Sequence, residues 1–131
     1  MFMSLSLSDD AKLTVADRFA RASRTNDGEA YAALCAPGAV TWHNFDDLEV
    51  STEQTIRTVA WLHRTVPDLA WTDVALYPIP SGFVSQTIMT GTAPGGELRV
   101  HSCVIVTLDD EGRITRVEEY LDPAQTAVLR G

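Results

Sequence analysis

Residues 69–121 read LAWTDVALYPIPSGFVSQTIMTGTAPGGELRVHSCVIVTLDDEGRITRVEEYL, from Leu69 to Leu121. Four runs rich in β-branched and aromatic residues stand out: Leu69 to Pro78, Phe83 to Thr92, Leu98 to Leu108 and Arg113 to Leu121. Between them lie Pro80-Ser81-Gly82, Pro94-Gly95-Gly96 and Asp109-Asp110-Glu111-Gly112. Strand-length runs joined by short turn-forming clusters predict an antiparallel meander. In the third run Val100, Val104 and Val106 alternate with Cys103 and Ile105, so it is apolar on both faces. A sheet of that kind needs two covers. Helices can supply one, and a second copy of the chain, in a homodimer, can supply the other.

The helices lie upstream. Asp9 and Asp10 suit a helix N-terminus, and Leu13, Ala16, Phe19, Ala20 and Ser23 then recur at helical spacing. Thr25-Asn26-Asp27-Gly28 breaks this first helix, and a short second one carries Tyr31 and Leu34 before Pro37-Gly38. Ala39 to Asn44 reads as a short strand and Phe45 to Val50 as an acidic loop. Ser51 and Gln54 form a capping-box signal ahead of a third helix with Ile56, Val59, Ala60, His63 and Val66 on one stripe, stopped by Pro67. Pro123 opens a short tail with helical character. Helices first and a meander afterwards predict an α+β fold. Three helices pack on one face of a curved, mainly antiparallel sheet and enclose a pocket, the usual setting for a small ligand.

Composition narrows the partners. The 131 residues suit one domain, read here as residues 9–131 behind a flexible tail, 1–8. The net charge is -8 and the ten Lys and Arg residues are scattered, which argues against nucleic acid and anionic membrane. No apolar stretch is longer than a strand, and Met1 to Ser8 lacks the basic and apolar regions of a signal peptide. The expected compartment is therefore the cytoplasm, and the expected partner a small apolar molecule, neutral or at most weakly polar. Cys35 and Cys103 are too few and too distant for a disulfide scaffold or a zinc site, and His43, His63 and His101 lack metal-ligand spacing. No metal or cofactor is expected.

The order of elements resembles the nuclear-transport-factor-2-like superfamily from about Asp9 to the end. The most specific stretch is Gly112-Arg-Ile-Thr-Arg-Val-Glu-Glu-Tyr-Leu-Asp-Pro, which is similar to the closing strand of SnoaL-like polyketide cyclases and limonene epoxide hydrolases. Leu34-Cys-Ala-Pro-Gly-Ala-Val-Thr-Trp-His-Asn resembles the same group's first short strand. The resemblance implies a cone-shaped fold around a pocket and leaves the activity open. Ketosteroid isomerases place a Tyr on the first helix and an Asp on the third long strand, with a carboxylate base on the short strand. The matched positions here hold Phe19 and Val104, with His43 at or next to the base. Limonene epoxide hydrolases use an Arg and an Asp two apart on the second long strand, where the match gives Ile88 and Thr90. Glu119 falls at the last-strand acidic position, so a SnoaL-like cyclase, using an acidic residue in an aldol ring closure, fits better than either relative.

Alternation sets Val117, Glu119 and Leu121 on one face of the last strand and Arg116, Glu118 and Tyr120 on the other. If the first set faces the cavity, Glu119 is a carboxylate in an apolar setting, able to serve as acid or base near neutral pH. Otherwise it is a surface Glu paired with an Arg on a neighbouring strand. Thr41 and His43 share a face of the short strand, and His43 could move a proton. A slip of one residue would expose Trp42 and Asn44 to the pocket instead. His63 sits on the apolar stripe of the third helix, as a core residue or a cavity wall, while His101 is out of phase with Val100 and Val104 and points away. Phe19, Tyr31, Trp42, Val59, Val104, Val117 and Leu121 are candidate walls. Trp61, Trp71 and Phe83 read mainly as core, and Gln86, Ile88 and Thr90 share a phase as candidate ligand contacts.

The leading reading is a cofactor-independent acid–base enzyme of cyclase or isomerase type. Glu119 and His43 would act on an apolar, oxygenated, polyketide-like carbonyl compound. The alternatives are a non-catalytic module that binds an apolar ligand, and a dimerisation domain with a vestigial cavity.

Overall fold

The computed structural model describes residues 7–131. Helix α1 spans Asp9–Arg24. Ser8 Oγ accepts the Ala11 N–H at its start, with Asp9 and Asp10 in the first turn and Arg21 and Arg24 in the last. Those charges complement the helix dipole at both ends. Of the tail expected at residues 1–8, residues 1–6 lie outside the described residues and Ser8 caps α1. Helix α2, Gly28–Leu34, is capped by Asp27, whose carboxylate accepts from Ala30 N. A Cβ on Gly28 would stand 2.7 Å from Ile56 Cγ2, so the missing side chain lets α2 approach the third helix closely. Helix α3, Thr52–Thr65, begins on Ser51, which accepts from Gln54 N as the capping signal requires. The Gln54 side chain does not return to Ser51; it bonds Arg57 and Thr58 within the helix.

The strands are β1 (Cys35–His43), β2 (Glu49–Ser51), β3 (Ala70–Ile79), β4 (Gly82–Ala93), β5 (Gly96–Leu108) and β6 (Ile114–Leu121), followed by a 3-10 helix at Pro123–Arg130. They form one sheet in the order β2-β1-β6-β5-β4-β3. The meander β3–β6 is antiparallel throughout, and β1 joins it in parallel along β6. This is the α+β architecture expected, with helices on one face of a mixed, open, curved sheet. Two local readings change. The first short strand begins at Cys35, straight after α2, and residues 49–50 of the supposed acidic loop pair with β1 as β2. The residual loop is closed by Trp42 Nε1, which donates to Asp47 at 2.7 Å.

The buried core divides in two. One cluster joins Ala16 of α1 to Phe83, Val106, Ile114 and Val117. The other joins Val66, Met89, Ala93, Leu98 and Val100, with Val128 and Leu129 of the 3-10 helix packed against it. Gly91 fixes the second cluster, since a Cβ there would lie 2.3 Å from Val66 Cγ1. Between the clusters the inner sheet face carries Ser85, Thr87, Ser102 and Glu119, paired row by row with Val104 and Leu121. Polar side chains of this kind resist dry packing under a helix. The core separates over them, and a cavity of about 340 Å³ opens there.

Candidate functional site

Cross-strand register arranges the cavity floor in rows, because directly paired residues share a face. His43, Glu119, Val104 and Ser85 make one row. Thr41, Val117, Val106 and Phe83 make the row below it. Leu121, Ser102 and Thr87 make the row above, and Val100, Met89 and Trp71 the next. Phe19 and Ser23 of α1, Tyr31 of α2, and Thr55, Val59 and Leu62 of α3 close over this floor, while Thr126, Leu129 and Arg130 of the 3-10 helix line the far side.

Glu119 is the one carboxylate among the residues that line the cavity. Its Oε2 accepts the Ser102 hydroxyl at 2.9 Å, and its Oε1 lies 3.5 Å from His43 Nε2. The two side chains are 30% and 19% exposed, enough for a ligand to reach them while the rest of each is shielded. The parallel pairing of β1 with β6 puts His43 directly beside Glu119, and the ring of Phe45 packs on the imidazole at 5.1 Å. One carboxylate oxygen is thus held by a hydroxyl, and the other faces an imidazole that can give or take a proton.

A second polar group lies one row lower. Thr41 is 5% exposed and accepts from Thr55 Oγ1 at 2.9 Å, and the Tyr31 hydroxyl lies beside it. Burial is the main reason that the Tyr31 phenol is held far above its ordinary pKa, so it stays protonated. Burial likewise raises the nearby Cys35 thiol. Arg24 lines the cavity but its guanidinium is engaged by Asp73, which is thereby held below the usual carboxylate range.

Of the positions singled out from the sequence, Phe19, Tyr31, His43, Val59, Val104, Val117, Glu119 and Leu121 line this cavity. Six do not. Trp42 points to the outer face, edge-on to Tyr120 at 5.2 Å. Asn44 continues the β1–β6 pairing, its N–H on Glu119 O and its Oδ1 accepting from Leu121 N. His63 does not wall the cavity. Its Nε2 meets Ser23 O at 2.9 Å and its ring packs on Trp71, tying α3 to α1. Gln86, Ile88 and Thr90 pair with Cys103, His101 and Arg99 on the outer face. The cause is the turn. Ala93 pairs with Gly96, so the β4–β5 hairpin has a two-residue loop, Pro94-Gly95, instead of a three-residue one. That single residue moves Ser85, Thr87 and Met89 inward. None of these three is ionisable, so the Arg and Asp of the epoxide hydrolases are absent in this phase as well.

Sequence reasoning missed Ser102 and Thr55. Ser102 shares the phase of Val100 and Val104, and Thr55 lies one helical turn before Val59, so a stricter count of faces would have found both. Among the described residues, no three His, Cys, Asp or Glu side chains gather as a metal site would require, and no helix is long and apolar enough to cross a membrane.

The sequence profile of the SnoaL-like domain matches residues 16–117. The chain belongs to the SnoaL-like domain family. No curated protein matches it. Among solved structures, a protein of Jannaschia sp. CCS1 assigned as a SnoaL-like polyketide cyclase superposes with a TM-score of 0.79 at 18% identity, over 100% of this chain and 99% of that one. IdmH of Streptomyces antibioticus, assigned as a polyketide cyclase, gives 0.76 at 16% identity, over 92% and 99%. An epoxide hydrolase of M. tuberculosis, like limonene epoxide hydrolase, gives 0.72 at 16%, over 94% and 92%. At such identities the likeness shows the SnoaL-like fold and leaves the chemistry to the site itself.

Proposed function

We propose that this SnoaL-like protein is a cofactor-independent acid–base enzyme of cyclase or isomerase type, acting on an apolar, oxygenated carbonyl compound of polyketide-like character. One observation carries the reading. Glu119 is the carboxylate in a mostly apolar cavity, anchored by Ser102 at 2.9 Å and facing His43 at 3.5 Å. Glu119 takes or gives a proton at carbon, and His43 exchanges it onward. Polyketide cyclase assignments among the structural neighbours support the substrate class. Trp71, Met89 and Leu129 supply apolar walls for a ring system. The single domain works in the cytoplasm as a homodimer joined through the outer sheet face.

The competing reading is a binding module of the same fold. It is favoured by Phe19 and Val104, which give no hydrogen-bond donor at the two positions where ketosteroid isomerases have one. Glu119→Gln separates the two, because it keeps size and hydrogen bonding but loses the base. In a screen of enolisable cyclic ketones and polyketide-like diketones, turnover should drop at least a hundredfold in this variant, with apolar ligand affinity unchanged. A Gln variant equal to the parent on a compound that the parent turns over would leave only the binding reading. A ligand soaked into crystals should lie within hydrogen-bond reach of Glu119.

A further inference from the structure

We propose that the Tyr31 hydroxyl, oriented by Thr41 and Thr55, is the hydrogen-bond donor that holds the carbonyl oxygen of the substrate as it becomes an enolate. This rests on the reading of Glu119 as the base and adds the group that such a base requires. Removing a proton from carbon leaves an electron pair, which moves into the new C=C bond as the carbonyl π pair moves onto oxygen. The proton sits on Glu119, and the negative charge on the oxygen must meet a donor.

Other donors that line the cavity stand away from Glu119: Ser85 and Thr87 on β4, two strands off, and Arg130 on the far side. Ser102 spends its proton on Glu119, and Arg24 is engaged by Asp73. Tyr31 and Thr41 are each 5% exposed, in the region of the cavity where a hydrogen bond to a developing charge is least weakened by water. Thr55 Oγ1 lies 2.9 Å from Thr41 Oγ1 and 3.0 Å from Ser51 O, and its single proton serves one of them at a time. When it serves Thr41, the Thr41 proton is free to bond the Tyr31 oxygen. The Tyr31 proton is then left to point at a ligand. Burial keeps that phenol protonated, so it arrives as a donor.

The spacing fits an enolisable carbonyl. Thr41 and His43 are two residues apart on β1, paired with Val117 and Glu119 on β6. Rows so related stand about 7 Å apart. A base oxygen sits about 3 Å from the carbon it attacks. That carbon is about 2.4 Å from the carbonyl oxygen, given ordinary bond lengths, and the oxygen is about 2.7 Å from its donor. A bent path of those three steps covers one row. The α-carbon lies over Glu119 and the oxygen reaches down to Tyr31, while the remainder of the molecule runs towards Trp71 and Leu129. The substrate class is therefore a ketone, ester or thioester with an acidic α-hydrogen and an apolar body.

The test uses 2-naphthol as an enolate-like probe and naphthalene as its counterpart without oxygen, titrated into the full chain by fluorescence. The parent should bind 2-naphthol more tightly than naphthalene. Tyr31→Phe should cut 2-naphthol affinity about tenfold and leave naphthalene affinity unchanged, the loss expected for one hydrogen bond. Thr41→Val, which keeps the Tyr31 hydroxyl but removes its orienting partner, should fall between. A Tyr31→Phe variant that keeps the full preference for 2-naphthol overturns the assignment and leaves the reading of Glu119 intact. A parent that binds neither probe removes both. If Tyr31→Phe fails to fold, Thr41→Val decides alone: an unchanged preference for 2-naphthol overturns the assignment.

Discussion

Ser102 shows how one side chain decides what another can do. A carboxylate with two free oxygens rotates and presents either to a ligand. With Oε2 held by the Ser102 hydroxyl at 2.9 Å, Glu119 presents Oε1, the oxygen beside His43. The value of that hold lies in orientation, so it should register in kcat more than in KM. Ser102→Ala should lower kcat about tenfold with KM little changed, on any compound whose turnover needs Glu119, and Ser102→Thr should restore it. An Ala variant with parental kcat would make Ser102 a packing residue. Glu119 could be picked out because alternation sets it with Val117 and Leu121 and the closing strand resembles that of SnoaL-like proteins, and His43 because the short strand carries a similar resemblance, though its register stayed open. Their adjacency could not, because it depends on a parallel pairing between segments 76 positions apart, which no local pattern encodes.

At the scale of elements, turns set what strands present. The four long strands could be read directly, since β-branched runs between Gly- and Pro-rich clusters have few other solutions. The phase of β4 could not. It hangs on whether Pro94-Gly95-Gly96 spans two residues or three, and the observed two-residue loop exchanged Gln86, Ile88 and Thr90 for Ser85, Thr87 and Met89. The same end of the strand is tied down by Asp68, which accepts from both the N–H and the hydroxyl of Thr92 at 2.8 and 2.9 Å. Those bonds hold the carboxyl below its usual pKa. Because the folded value is depressed, the stabilisation is complete above the ordinary carboxylate range near pH 4 and is lost as pH falls through the folded value. Asp68→Asn should therefore melt below the parent at pH 7, and the gap should close on acidification to about pH 2. A gap independent of pH would show that the charge is not what Thr92 reads.

For the whole molecule, the unfinished surface is the outer face of the sheet. The inner face is covered by three helices and the 3-10 segment, whereas no described element packs over the outer one. That face carries Trp42, Val84, Ile88, Cys103 and Ile105 in partly buried positions, with Tyr77 55% and Tyr120 40% exposed. Register places them together: Tyr77, Val84 and Ile105 form one cross-strand row, and Gln86, Cys103 and Tyr120 the next. Arg116, bound to Glu49 and near Glu118, adds charge beside Trp42, and Glu118 continues the first row between Ile105 and Trp42. Apolar and aromatic side chains so gathered suit a protein interface, and a sheet of six strands offers room for the roughly 800 Å² per subunit that a stable pair needs. A second copy of the chain would meet the requirement that the two-sided strand β5 imposes, which is the dimer proposed above. Sedimentation at micromolar concentration should then give twice the 14.3 kDa mass of the chain. Tyr120→Glu, at the middle of the sheet and away from the cavity, should bring it to the monomer mass, since a charge buried without a partner costs a contact several kcal/mol. The same variant should keep its helix and sheet content, because Tyr120 contributes to the monomer mainly through its edge contact with Trp42. A parent that sediments as a monomer would mean that this face is tolerated in water as it stands, and that the apolar outer side of β5 serves the stability of the single chain.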